Sequence, residues 1–191
     1  MTESGDKWDA IYSQKSGFPG APTRVLAENV HLLPRAGDAL EIACGLAGNA
    51  VLLAERGLVT RAWDISAVAI RQVNDYAQAR GLPLTGEARD VTEQPPAPAC
   101  CDVLVVAHYL DRGLVPDLIA ALRRGGLLFY QTFTRTRVTE AGPGNPEYRL
   151  ADNELLALFS PLRVLVYREE GRVGALDQGL RDEAMIVAEK L

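Results

Sequence analysis

Apolar runs of four to eight residues alternate along this chain with segments of helical periodicity. The runs predict strands over Asp38–Ala43, Val59–Asp64, Pro83–Ala88, Asp102–Ala107 and Gly126–Phe133. Helical patterns fall between them, over Thr23–Leu33, Asn49–Arg56, Ser66–Arg80, Val115–Arg124 and Ala151–Phe159. Gly57 and Gly81 follow two of these segments as C-terminal caps, and Ser66 stands as an N-cap. Strand–helix alternation of this kind favours a largely parallel sheet with helices on both faces. The last part changes character. Leu162–Arg168 and Glu183–Glu189 read as strands, separated by a Gly-rich stretch too short for a crossover helix. They should pair as an antiparallel hairpin, so that an antiparallel edge strand finishes the sheet.

The expected fold is therefore α/β, doubly wound, with a mostly parallel seven-stranded sheet and an antiparallel last strand. With 191 residues and 48% hydrophobic content, one domain is expected over 1–191. Within it, 1–34 forms an N-terminal lid and helix, 35–134 a ligand-binding core, and 135–191 a substrate loop and C-terminal hairpin. No apolar run has the length needed to cross a bilayer, and the polar N-terminus does not resemble a secretory signal. Three cysteines, two of them adjacent, make a poor disulfide framework and suit a reducing cytoplasm. The net charge of −5 disfavours a nucleic-acid backbone as partner, and so short a chain, with no room for an inserted recognition domain, suits a small-molecule partner. A monomer or homodimer is expected. Cys44, Cys100, Cys101, His31 and His108 show no metal-ligand spacing, so no metal is expected.

The chemistry concentrates in Glu41-Ile42-Ala43-Cys44-Gly45-Leu46-Ala47-Gly48-Asn49 and in Trp63-Asp64-Ile65-Ser66. An apolar strand ends in an acid, a turn of small residues follows, and a helix begins. A second strand then ends in another acid, Asp64. This arrangement suits a nucleotide-like ligand. Small residues let the backbone approach it, the helix start offers N–H groups, and the second carboxylate can accept two ribose hydroxyls. Asp90 closes the third strand, which puts three acids on one rim. A dinucleotide fingerprint would need glycines spaced G-x-G-x-x-G, whereas this turn offers only Gly45 and Gly48.

On these residues, and on Lys7-Trp8-Asp9 near the start, the chain resembles a class I S-adenosylmethionine-dependent methyltransferase. It is similar to the bacterial tellurite-resistance and thiopurine group, whose members carry an acid, Ile-Ala-Cys-Gly and then Gly-Arg-Asn. The resemblance implies S-adenosylmethionine as cofactor. It implies Glu41 and Gly45 near the methionine portion, Asp64 on the ribose hydroxyls, and Asp90 with the Val91 N–H on adenine, against which Ile65 packs. Ala43, Cys44, Asn49 and Ala107 complete the cofactor wall, and Trp8 and Tyr12 lie on a lid helix. Arg24 would reach the cofactor carboxylate. At the end of the fourth strand the resemblance points to His108 and Tyr109 as catalytic candidates. Arg112, Gln131 and Arg149 stand on the acceptor side, the last in a long loop shaping the substrate mouth.

Two departures stand out. Ala43 and Ala47 occupy positions where many methyltransferases have glycine, and each methyl disfavours left-handed backbone angles. The reaction implied is methyl transfer to a small acceptor. A non-catalytic module binding the same cofactor or its product is the alternative.

Overall fold

The structure, a computed structural model, describes residues 3–15 and 17–191. Seven strands form one sheet: β1 (Asp38–Ile42), β2 (Val59–Asp64), β3 (Leu84–Ala88), β4 (Cys101–Ala107), β5 (Leu122–Phe133), β6 (Arg163–Glu169) and β7 (Glu183–Glu189). Their spatial order is β3-β2-β1-β4-β5-β7-β6. The first five strands pair in parallel, and β7 runs antiparallel to both β5 and β6. The expected hairpin is present, but β7 is not the edge. It lies between β5 and β6, paired along both edges, and its five central residues, Ala184–Ala188, are all buried between the two faces of the sheet. Strand β6, with Arg163, Tyr167, Arg168 and Glu169, carries the polar side chains that an edge tolerates.

Side chains alternate between two cores, as a pleated strand requires. Leu40, Ile42, Leu104, Val106, Leu128 and Tyr130 face α5 (Val115–Ala121) and α6 (Glu154–Leu158). Ala39, Val103, Val105, Phe129 and Val187 face the opposite side, against Val25, Leu26 and Leu53 of α2 (Arg24–Ala27) and α3 (Gly48–Glu55). Helix α4 (Ala67–Arg80) packs Ile70, Val73 and Ala77 against Ala50, Ala54 and Ala62. Ser66 caps it, accepting the Ala69 N–H at 3.2 Å, and Gly81 ends it at a φ of 62°.

Three expected helices are shorter, the one over Ala151–Phe159 being reduced to α6. The segment over Thr23–Leu33 breaks into α2 and a 3-10 turn at Val30–Leu32. Between them the Asn29 side chain bonds back to the Val25 carbonyl at 2.9 Å, a local bond that competes with helix propagation. Helix α5 stops at Ala121, because its last carbonyls are claimed from outside. Ala99 and Cys100 donate their N–H groups to the Ala120 and Ala121 carbonyls, while the Lys190 ammonium bonds Ile119, Ala120 and Leu122. The chain then extends directly into β5. At the N-terminus, α1 (Glu3–Gln14) lies against α4.

Candidate active site

The carboxyl ends of β1, β2 and β4 open on a cavity of about 650 Å³, roofed by α1. Its size falls within the range of small-molecule and cofactor sites. The twelve cofactor positions expected from the sequence all line it: Trp8, Tyr12, Glu41, Ala43, Cys44, Gly45, Asn49, Asp64, Ile65, Asp90, Val91 and Ala107. His108 and Tyr109 line it as well.

The turn after β1 owes its shape to an unusual run of backbone angles. Ala43, Gly45 and Ala47 have φ values of 54°, 50° and 52°, all left-handed. The two alanines therefore adopt the conformation that a Cβ disfavours, at a cost of about 1–2 kcal/mol each. Tight closure holds them there. The Cys44 N–H bonds the Trp63 carbonyl at 3.0 Å, and the Ala47 N–H bonds the Cys44 carbonyl at 2.7 Å. Gly48 has a different reason to be glycine. A Cβ there would stand 2.5 Å from the Gly20 and Ala21 carbonyl oxygens, because that segment crosses directly over the helix start. At Gly45 an added Cβ would meet the Tyr12 hydroxyl at 2.6 Å.

Glu41 is buried and accepts from Asn49 Nδ2 and from the Ala50 N–H, each at 2.7 Å. It thereby caps the start of α3 from within the sheet. Burial pushes its carboxyl up to about 8, although the two hydrogen bonds and the helix start favour the ionised form. The other side of Asn49 accepts from the Thr23 N–H and hydroxyl, at 2.8 and 3.0 Å. The polar atoms of Asn49 thus join the Glu41 cap to the strap at residues 20–23, and its place in the wall is structural. Asp64 accepts the Ser66 N–H on one oxygen and the Gly45 N–H on the other, at 2.9 and 2.8 Å. The residue lines the cavity, and an ionised carboxylate has more acceptor sites than these two bonds occupy. Burial, the largest influence, raises its carboxyl above the usual range. Asp90 takes the opposite direction, lowered first by the Thr92 hydroxyl at 2.6 Å. Tyr109, pushed up to about 12 mainly by burial, is a phenol and a donor.

Four expected contacts are not found. Gln131 is 3% exposed and lies behind the wall, accepting the Val25 N–H at 2.7 Å and donating to Glu183. Arg112 grips Glu154 through Nε and Nη2, at 2.6 and 3.0 Å, and bonds the Glu147 and Arg149 carbonyls. Arg149 is buried, with its guanidinium on the Thr134, Pro143 and Ala141 carbonyls. Arg24 pairs with Glu28 and bonds the Gly179 carbonyl. These side chains are long donors that the fold uses to close loops. The 135–149 loop accordingly contributes no residue to the cavity wall. Sequence reading overlooked Lys15, Thr23, Arg89 and Thr92, all in the wall, and Glu183, which holds His108. Arg89 and Thr92 flank Asp90 and Val91, and Thr92 bonds Asp90 two residues away, whereas Glu183 joins the site only through His108, distant in the chain. Among the described residues no group of three His, Cys, Asp or Glu side chains is placed to hold a metal ion.

No family model matches the chain, and no curated protein matches it. Solved structures do. The chain is similar to TehB from Haemophilus influenzae, at 16% identity and a TM-score of 0.72, over 96% of this chain and 67% of that one. It is also similar to geranyl diphosphate C-methyltransferase from Streptomyces coelicolor A3(2), solved with Mg2+, geranyl diphosphate and S-adenosyl-L-homocysteine. That match has 13% identity and a TM-score of 0.72, over 100% and 99% of the two chains. The [4+2]-cyclase SpnF matches at 16% identity and 0.71, over 98% and 95%. The sheet order, the strand-end acids and the cavity at the carboxyl ends of the strands accompany this likeness, and the chain has the fold of the class I S-adenosylmethionine-dependent methyltransferases.

Proposed function

We propose that the protein transfers the methyl group of S-adenosylmethionine to a small-molecule acceptor. The observation that carries this reading is Asp64, a carboxylate at the end of β2 that lines the cavity and is held in place by backbone N–H groups of Gly45 and Ser66. Such a carboxylate suits the two hydroxyls of a ribose, each bond charge-assisted. The rest of the wall fits the same cofactor. Asp90 and the Val91 N–H would hold adenine, Ile65 would pack against it, and Glu41 with Gly45 would lie by the methionine portion. Trp8 and Tyr12, stacked with ring centroids 5.7 Å apart, would cover it from α1.

When bound, the cofactor supplies an electrophilic methyl on a neutral leaving group. Little acid–base assistance is needed, so the protein's main task is to hold the acceptor in line and exclude water. His108 and Tyr109, at the end of β4, are the residues we assign to the acceptor side. A small acceptor agrees with a cavity of this volume and with a net charge of −5. No helix among the described residues is long and apolar enough to cross a membrane. We place the protein in the cytoplasm, as a monomer or homodimer.

Calorimetric titration with S-adenosylmethionine, S-adenosylhomocysteine, NAD and NADP tests the reading. The first two should bind saturably and the nucleotides should not. Asp64→Ala should cost on the order of 2–4 kcal/mol of binding free energy. Absence of binding to either sulfur compound, or preferential binding of NAD, would refute it.

A further inference from the structure

His108 sits in a backbone conformation that non-glycine residues avoid. Its φ is 55°, immediately beyond the end of β4, and its N–H is tied to the Gln131 carbonyl at 2.8 Å. Strain of this kind persists only where the surroundings over-determine it, and it gathers at working sites. Here the surroundings are explicit. The imidazole stacks on Phe133, with centroids 5.0 Å apart and planes 26° apart. Its Nε2 lies 2.9 Å from Glu183 Oε1. Glu183, the first residue of β7, pairs with Phe133 in the antiparallel register. Its second oxygen takes a hydrogen bond from Gln131 Nε2, and Gln131 in turn accepts the Val25 N–H at 2.7 Å. Helix α2, β5 and β7 therefore converge to fix one ring that faces the cavity.

We infer that Glu183 is a positioning residue that sets the tautomer of His108, and that the acceptor meets this ring as a neutral protic nucleophile. The inference rests on the methyl-transfer reading above for its reaction, but not for its geometry. A carboxylate only accepts hydrogen bonds, so the Nε2 beside it carries the hydrogen of the neutral ring. Nδ1 has no partner among the described residues and is left with a lone pair. A lone pair repels an oxyanion and welcomes a hydroxyl or thiol hydrogen. In the reaction, Nδ1 takes that proton, and the electron pair left on the acceptor forms its bond to the methyl carbon. The carbon–sulfur bond breaks with its electrons going to sulfur, and the imidazolium returns its proton to solvent. Glu183 stabilises that transient imidazolium without touching the acceptor.

The test is spectroscopic. The chain has two histidines, so His31→Gln leaves one imidazole to follow by long-range nitrogen–proton correlation. The neutral ring should be in the Nε2–H form. Glu183→Ala should lower the ratio of Nε2–H to Nδ1–H about tenfold, the worth of a charge-assisted hydrogen bond. Glu183→Gln, which keeps the shape of the side chain, should lower it less and in the same direction, and carries the test if the alanine variant does not fold. A dominant Nδ1–H form, or a ratio unchanged in the folded variants, overturns the positioning role. With S-adenosylhomocysteine added, phenol and 2-mercaptoethanol should move the Nδ1 resonance and benzoate should not. A response to benzoate alone, or to none of the three, overturns the acceptor class. Failure of S-adenosylhomocysteine to bind would count against the cofactor reading and would leave the tautomer result standing.

Discussion

The Asp9 carboxylate accepts the Ser66 hydroxyl at 2.5 Å, and so ties the N-terminal helix to the turn that carries Asp64. The same oxygen takes the Val68 N–H at 3.1 Å, and the Ser66 N–H bonds Asp64 at 2.9 Å. Asp9 thus assists the N-cap of α4 from another helix, while the helix it belongs to holds Trp8 and Tyr12 over the cavity. Its carboxyl is lowered from the usual range, first by the Ser66 hydroxyl, so this latch is present above that range and lost as pH falls through the lowered value. Asp9→Ala should destabilise the protein by about 1 kcal/mol, the usual worth of a cap. It should also weaken S-adenosylhomocysteine binding by about tenfold as the lid loses its anchor. Urea unfolding and calorimetric titration read the two effects separately. An unchanged dissociation constant would show that α1 closes the cavity without this latch.

Ala43 and Ala47 are the two non-glycine residues held left-handed in the cofactor turn. Glycine pays no Cβ penalty in that region, but it adds freedom to the unfolded chain. The net expectation for Ala43→Gly and Ala47→Gly is stabilisation of up to about 1 kcal/mol each, measured as a rise in the urea midpoint at constant slope. A fall in the midpoint would mean that the alanine methyls, in contact with the turn and its helix, contribute more packing than they cost in strain.

Glu41 gives the stability curve a distinctive slope. Its folded value of about 8 lies above its ordinary 4.5, so between those limits the folded state binds more protons than the unfolded chain. The stabilisation is full below the ordinary value and is lost as pH rises through the folded one. Stability should therefore decline by about 3–4 kcal/mol from pH 5 to 8. Asp64 is raised in the same direction, so its contribution has the same sign and is lost as pH rises through its own folded value. Glu41→Gln should flatten the decline. Denaturant titrations at fixed pH values across that window provide the measurement.

Arg149 supports the 135–149 loop. Replacing it with alanine would leave the Thr134, Pro143 and Ala141 carbonyls without their donor, at a cost of about 3 kcal/mol in stability. Arg149→Lys should recover little of this, because one ammonium cannot reproduce a planar fork. Binding of S-adenosylhomocysteine to the folded variant should be unchanged, since the guanidinium is not in the cavity wall. A selective loss of cofactor affinity at intact stability would return Arg149 to the binding site.

Local pattern made much of this protein legible. The short apolar runs marked all seven strands, because a strand buried against helices needs apolar side chains along its length. Gly81 and Ser66 marked the two ends of α4 through chemistry confined to a few residues. That twelve positions expected at the cofactor line one cavity has a related reason. In a parallel sheet the carboxyl ends of neighbouring strands share one rim, so Glu41, Asp64 and Asp90 meet once the strands are ordered.

The sequence alone determined the α/β class, the strand–turn–helix cradle and the identity of the acids on its rim, because each follows from residues a few positions apart. Tertiary structure alone decided which strand closes the sheet and where the long donors point. Pairing with both β5 and β6 placed β7 inside, and loop carbonyls took up Arg112 and Arg149 before any ligand could. It also brought Glu183 to His108, 75 residues away, and Asp9 to Ser66, 57 residues away. Such partners leave no mark on local sequence, because a hydrogen bond across the fold is selected by distance in space and not by spacing along the chain.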